Sequence, residues 1–81
     1  MSEKDDLLKA LELDKAGDWD GSHKVVQAID STMAERIHAY LHRVEGDLSN
    51  ARYWYNRAGV TPETCSLQEE WDKLANELKG T

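Results

Sequence analysis

Two stretches of the chain repeat one another at an offset of 29 residues, and no other feature constrains the fold as tightly. Ala10–Ile29 and Ala39–Ala58 share Ala10/Ala39, Gly17/Gly46 and Asp18/Asp47, and they set Trp19 against Leu48, Ser22 against Ala51, Val26 against Tyr55 and Ile29 against Ala58. A glycine can take the left-handed conformation that closes a helix. A small residue shortly after it lets two helices approach, and a larger residue one turn later fills the gap below that contact. Each copy therefore reads as a helical hairpin, and neither copy alone can bury its apolar face.

The apolar spacing agrees along the whole chain. Leu7, Leu8, Leu11 and Ala16 mark a first helix over residues 4–16, stopped at Gly17-Asp18. Ser22, Val25, Val26 and Ile29 mark a second over 20–29. Thr32 and Glu35 fit a capping box that opens a third helix, in which Met33, Ile37, Tyr40, Leu41 and Val44 give the clearest period before Gly46. Leu48, Ala51, Tyr55 and Ala58 carry a fourth helix to Gly59. Thr61-Pro62-Glu63 places a proline behind a threonine cap at the start of a fifth, whose stripe is Leu67, Trp71, Leu74 and Leu78. No segment alternates with period two. The expected architecture is all-α and single-domain over 1–81, with five short helices. Two antiparallel hairpins (4–29 and 32–59) are followed by a capping helix over 62–79 that includes Trp71.

Composition narrows the function classes. Ten Lys and Arg against sixteen Asp and Glu give a net charge of −6, which disfavours nucleic acid or an anionic membrane as partner. The lone Cys65 makes no intramolecular disulfide and no Cys-rich zinc site. No apolar run is long enough to span a bilayer, and the acidic start of the chain lacks a hydrophobic signal core, so a cytoplasmic setting is expected.

The run Gly46-Asp47-Leu48-Ser49-Asn50-Ala51-Arg52-Tyr53-Trp54-Tyr55-Asn56-Arg57-Ala58 resembles the second helix of a tetratricopeptide or Sel1-type repeat. Glycine at the turn, alanine five residues on, an aromatic four later and alanine three beyond that are Gly46, Ala51, Tyr55 and Ala58 here. The first copy is more degenerate, with Ala10 and Gly17 in place and Ser22, Val26 and Ile29 at the other sites. The wider segment from His38 to Tyr55 also resembles a family of small microbial proteins, a likeness that implies no activity. The tetratricopeptide resemblance implies protein or peptide binding in a groove lined by the first helix of each hairpin. Its groove-facing positions are Lys4, Leu7, Leu11, Arg36, Tyr40 and Arg43.

Few residues offer chemistry of their own. His38 and His42 lie four apart on one side of the third helix, and Glu35 and Glu45 extend the line by three residues at either end. His38, His42 and Glu45 are donors that zinc, nickel or iron accept, with His23 or a symmetry mate as a further ligand. The zinc-protease motif needs Glu directly after the first His, where Ala39 stands. The bland reading packs both histidines at the core boundary against Ala51 and Tyr55. Tyr53, Trp54 and Tyr55 cannot all point inward, because helix neighbours are about 100° apart. Trp54 is expected to pack on Trp71 or Leu74, or, with Tyr53, to serve as an aromatic anchor for a partner. Trp19 is expected to close its own hairpin turn, the turn carboxylates Asp18, Asp20, Glu45 and Asp47 to cap helices, Cys65 to be a buried small apolar residue, and Glu69, Glu70, Asp72, Lys73 and Glu77 to form a solvated face. The leading expectation is a non-catalytic protein-interaction module without cofactor that binds a protein, a peptide or itself; a purely structural homodimer through the last helix is a separate reading. The alternative is a small metal-binding protein or hydrolase holding a divalent transition metal.

Overall fold

A computed structural model describes residues 2–80. It consists of α1 (Glu3–Lys15), α2 (Trp19–Gln27), α3 (Thr32–Val44), α4 (Leu48–Ala58) and α5 (Leu67–Lys79), with no strand among the described residues. α1/α2 and α3/α4 form two antiparallel hairpins, α2 packs on α3 to join them, and α5 lies against α1 and α3. None of these helices is long and apolar enough to cross a membrane.

The two hairpin turns are the same structure twice. Gly17 and Gly46 have φ of 91° and 82°. After α1, the amide of Asp18 donates to the Leu13 carbonyl at 2.8 Å and that of Gly17 to Asp14 at 2.9 Å; after α3, Asp47 donates to His42 at 2.9 Å and Gly46 to Arg43 at 3.0 Å. This paired closure satisfies carbonyls that a helix end otherwise leaves bare. Asp18 and Asp47 then cap the next helices, their carboxylates accepting from the amides of Gly21 and Asn50. The small residues of the repeat, Ser22 and Ala51, are buried, as are Val26 and Tyr55 one turn later.

The main core runs through α1, α3 and α5, with Leu7, Leu11, Ile37, Leu41, Leu74 and Leu78 at its centre. Trp71 belongs to it, and its indole N–H donates to the Leu11 carbonyl at 3.0 Å. Beside it lies a buried polar clasp. Glu70 is 1% exposed. It accepts from the Tyr55 hydroxyl at 2.6 and 2.8 Å and from Arg43 Nη1 at 2.6 Å. Arg43 Nη2 also donates to the Cys65 carbonyl at 2.6 Å, which ties the 60–66 crossing to α3. Burial and the Glu70 carboxylate hold the Tyr55 hydroxyl well above its ordinary pKa, so it remains a donor.

Three local expectations change. The cap of α3 is Ser31, whose hydroxyl accepts from the Ala34 amide at 3.1 Å, with Thr32 the first helical residue. Glu35 closes no capping box and turns instead to Arg57. α5 begins at Leu67, not at Pro62, because Ser66 and Glu69 form a reciprocal capping box, while Thr61-Pro62-Glu63 lies in the irregular crossing. Glu70 is no part of a solvated face. It stands on the apolar stripe of α5, three residues after Leu67 and four before Leu74, where only its pairing with Arg43 and Tyr55 makes burial tolerable.

A Cβ added at Gly46 meets nothing within 4 Å, so substitution there is opposed by backbone conformation alone. Gly46→Val is expected to lower stability by about 2 kcal/mol and Gly46→Asn by under about 1 kcal/mol, because a β-branched residue resists positive φ while Asn tolerates it. Equal urea midpoints for the two variants would contradict this. Glu70→Ala leaves Arg43 and the Tyr55 hydroxyl without their shared acceptor and is expected to cost about 3–5 kcal/mol, read from the same unfolding curves.

Candidate histidine–tryptophan site

All three histidines of the chain meet where the two hairpins join. His38 and His42 stand one turn apart on α3, with ring centroids 5.0 Å apart. His23 comes from α2, one residue round the helix from buried Ser22, and lies 4.6 Å from His38 and 5.4 Å from His42. One nitrogen from each ring lies within 4.8 Å of the others.

Two tryptophans bracket the cluster. Trp19, one turn before His23 on α2, stacks on it at 4.8 Å and 12°, and its indole N–H donates to the Leu41 carbonyl of α3 at 2.7 Å. Trp19 thus bridges to the second hairpin and does not close its own turn. The reason is visible in its repeat partner: Leu48 has no following hairpin to cover it and is 61% exposed. On the far side Trp54 of α4 stacks on His38 at 3.8 Å and 15°, turned away from Trp71 and Leu74.

Beyond Trp54 the surface opens. Tyr53 meets Trp54 edge-on at 5.2 Å and is 53% exposed. The Arg57 guanidinium lies 5.3 Å above the Trp54 ring, donating to Glu35 at 3.1 Å and to the Tyr53 hydroxyl at 3.4 Å. A cleft of about 180 Å³ beside these residues is lined by Gln27, Ile29, Glu35, His38, Trp54 and Arg57, among others.

Two of the imidazoles, His38 and His23, are biased toward the neutral form. Burial, with His23 and His42 close by, pushes His38 down to about 4. Burial and His42 also lower His23, against the opposing pull of Glu45 and Asp20. His42 Nδ1 lies 2.6 Å from the Glu45 carboxylate, so Glu45 is the C-cap of α3 through its backbone and holds a histidine with its side chain. Asp20 lies in the first turn of α2, and Cys65 is half-buried, its Sγ 3.7 Å from Glu63.

The groove positions on α3 drawn from the tetratricopeptide resemblance sit beneath α5. Leu7 and Leu11 are core residues. Tyr40 is 4% exposed and donates its hydroxyl to Asp14 at 2.9 Å. Arg36 makes a two-pronged pair with Glu77 of α5 at 2.7 and 2.8 Å, and Arg43 holds Glu70. Tyr53 and Trp54 lie on the other side, facing away from α5. Of the metal candidates, His38 and His42 do stand together, His23 joins them, and Glu45 stands behind His42. Arg57 stands three and four residues after Trp54 and Tyr53, a spacing that already places all three on one helix side in the sequence.

Comparison with known protein families, curated proteins and solved structures finds no match to this chain.

His38 binds a proton less readily folded, at about 4, than unfolded, at about 6.5, so stability is complete above pH 6.5 and declines as pH falls towards 4. In protein kept in chelator, the loss between pH 6.5 and 5 is expected to be about 2 kcal/mol by urea unfolding. The paired carboxylates Glu63 and Glu77, whose pKa values are lowered, lose their contribution only below that window. His38→Gln should flatten the slope; an unchanged slope would refute this origin.

Proposed function

We propose that the chain is a non-catalytic helical binding module that docks a protein partner on the α2–α4 side, at the Tyr53–Trp54–Arg57 patch and the cleft beside it. The observation that carries this reading is the preassembly of the patch. Arg57 is held at once by Glu35, by the Tyr53 hydroxyl and by the face of Trp54, while Tyr53 stays half-exposed. Aromatic and arginine side chains concentrate binding energy at protein interfaces, and side chains already fixed lose less entropy on docking. The α1–α3 face serves this purpose less well, since α5 covers it with Trp71 and two arginine–glutamate pairs. The helical-repeat resemblance favours the same class of function without requiring the same groove. The convergence of the histidines favours a second reading, metal binding, taken up below.

A photo-crosslinking residue at position 53, expressed in the source cells, is expected to give a discrete protein adduct. The adduct should be lost when Arg57→Glu is added and should not form from the same residue placed at Asn76 on the outer side of α5. No adduct from position 53, or equal adducts from both positions, would refute the assignment.

A further inference from the structure

We infer that His23, His38 and His42 together bind one divalent transition-metal ion, with Glu45 acting as a positioning residue behind His42. This inference is independent of the docking reading and stands on four features of the cluster. The first is convergence. Three imidazoles from two helices bring one nitrogen each to within 4.8 Å of the others. Ligand nitrogens around a tetrahedral zinc ion lie about 3.3 Å apart, given metal–nitrogen bonds of 2.0–2.1 Å. Closing that difference calls for the nitrogens to approach by at most about 1.5 Å.

The second feature is vacancy of hydrogen bonding. Among the described residues, no protein group hydrogen-bonds to a ring nitrogen of His23 or His38, although His38 is only 5% exposed. Ser22 Oγ is the one buried polar side-chain atom without a partner among the described residues, so the unpaired nitrogens of His23 and His38 are open to solvent and to a ligand.

The third is the second partner of His42. The Glu45 carboxylate accepts from Nδ1–H at 2.6 Å, which leaves Nε2 as the ring nitrogen with no protein partner. A carboxylate behind a coordinating imidazole fixes its tautomer and raises its basicity.

The fourth is the wall. Trp19 stacks on His23 and Trp54 on His38, which limits the orientations open to both rings. Three imidazole nitrogens suit zinc, cobalt, nickel or copper and give magnesium or calcium nothing they prefer. A competing group, His42 with Glu45 and Asp47, is weaker: Glu45 already serves His42, and Asp47 caps α4. Three protein donors leave at least one coordination position for solvent or another ligand.

The test is titration of the untagged, chelator-stripped full chain with zinc by calorimetry and with cobalt by visible absorption. The expected result is one ion per chain, quenching of tryptophan emission by cobalt, and no response to magnesium. His23→Ala, His38→Ala and His42→Ala should each weaken zinc binding at least about 100-fold. Glu45→Gln should weaken it about 10–100-fold while keeping the cobalt spectrum, and it should alter the pH dependence of binding. Circular dichroism establishes that each variant is folded. For any that is not, the wild-type histidine ring resonances supply the readout, since all three rings should shift together at one equivalent of zinc. Absence of binding by the wild-type chain would overturn the inference. So would binding that His23→Ala leaves unchanged, which would reduce the site to the α3 pair.

Discussion

The carboxylate of Glu70 lies inside the protein, and its pairing with Arg43 and Tyr55 fixes the relation of α5 to the rest of the chain. A buried charge is tolerable only when each of its acceptor sites is met, so the three side chains specify one position for α5 along α3 and α4. Arg43 extends the constraint to the 60–66 crossing through the Cys65 carbonyl. With that position set, Trp71 reaches the Leu11 carbonyl and Glu77 reaches Arg36. The apolar faces of α1 and α3 are thereby closed.

That closure decides which surface remains for function. Two stacked hairpins alone would leave their first helices open. Here α5 occupies this side, and the polar and aromatic side chains gather on α2, the opposite flank of α3 and α4. Trp19 and Trp54 do different work there. Trp19 welds the hairpins through its bond to Leu41, whereas Trp54 connects the histidine cluster to the Tyr53–Arg57 surface. The interior of the junction is thus polar and ring-lined where a repeat protein ordinarily carries aliphatic packing.

Much of the scaffold was legible because it is local. The offset of 29 residues reappears in the turns as equal backbone geometry and equal hydrogen bonds, since a left-handed glycine followed by an aspartate cap needs only its own neighbours. The start of α5 at Leu67 is set by more than its proline. Pro62 permits a helix start, but Ser66 and Glu69 form the pair of side-chain bonds that makes one. Glu70 illustrates the limit of periodicity. Its place on the apolar stripe could be read, but its partners lie 15 and 27 residues away.

By itself, then, the sequence determined five helices, their turns and the small residues that let each hairpin close, because spacing and capping act within a few residues of one another. It also put His38 and His42 on one helix side. Only the tertiary structure decided that His23 joins them, that Trp19 and Trp54 face the imidazoles, and that α5 covers Tyr40 and Arg43. Helical spacing states which residues share a side but not what that side meets. The azimuth of each helix is set by burial and pairing summed over the whole chain.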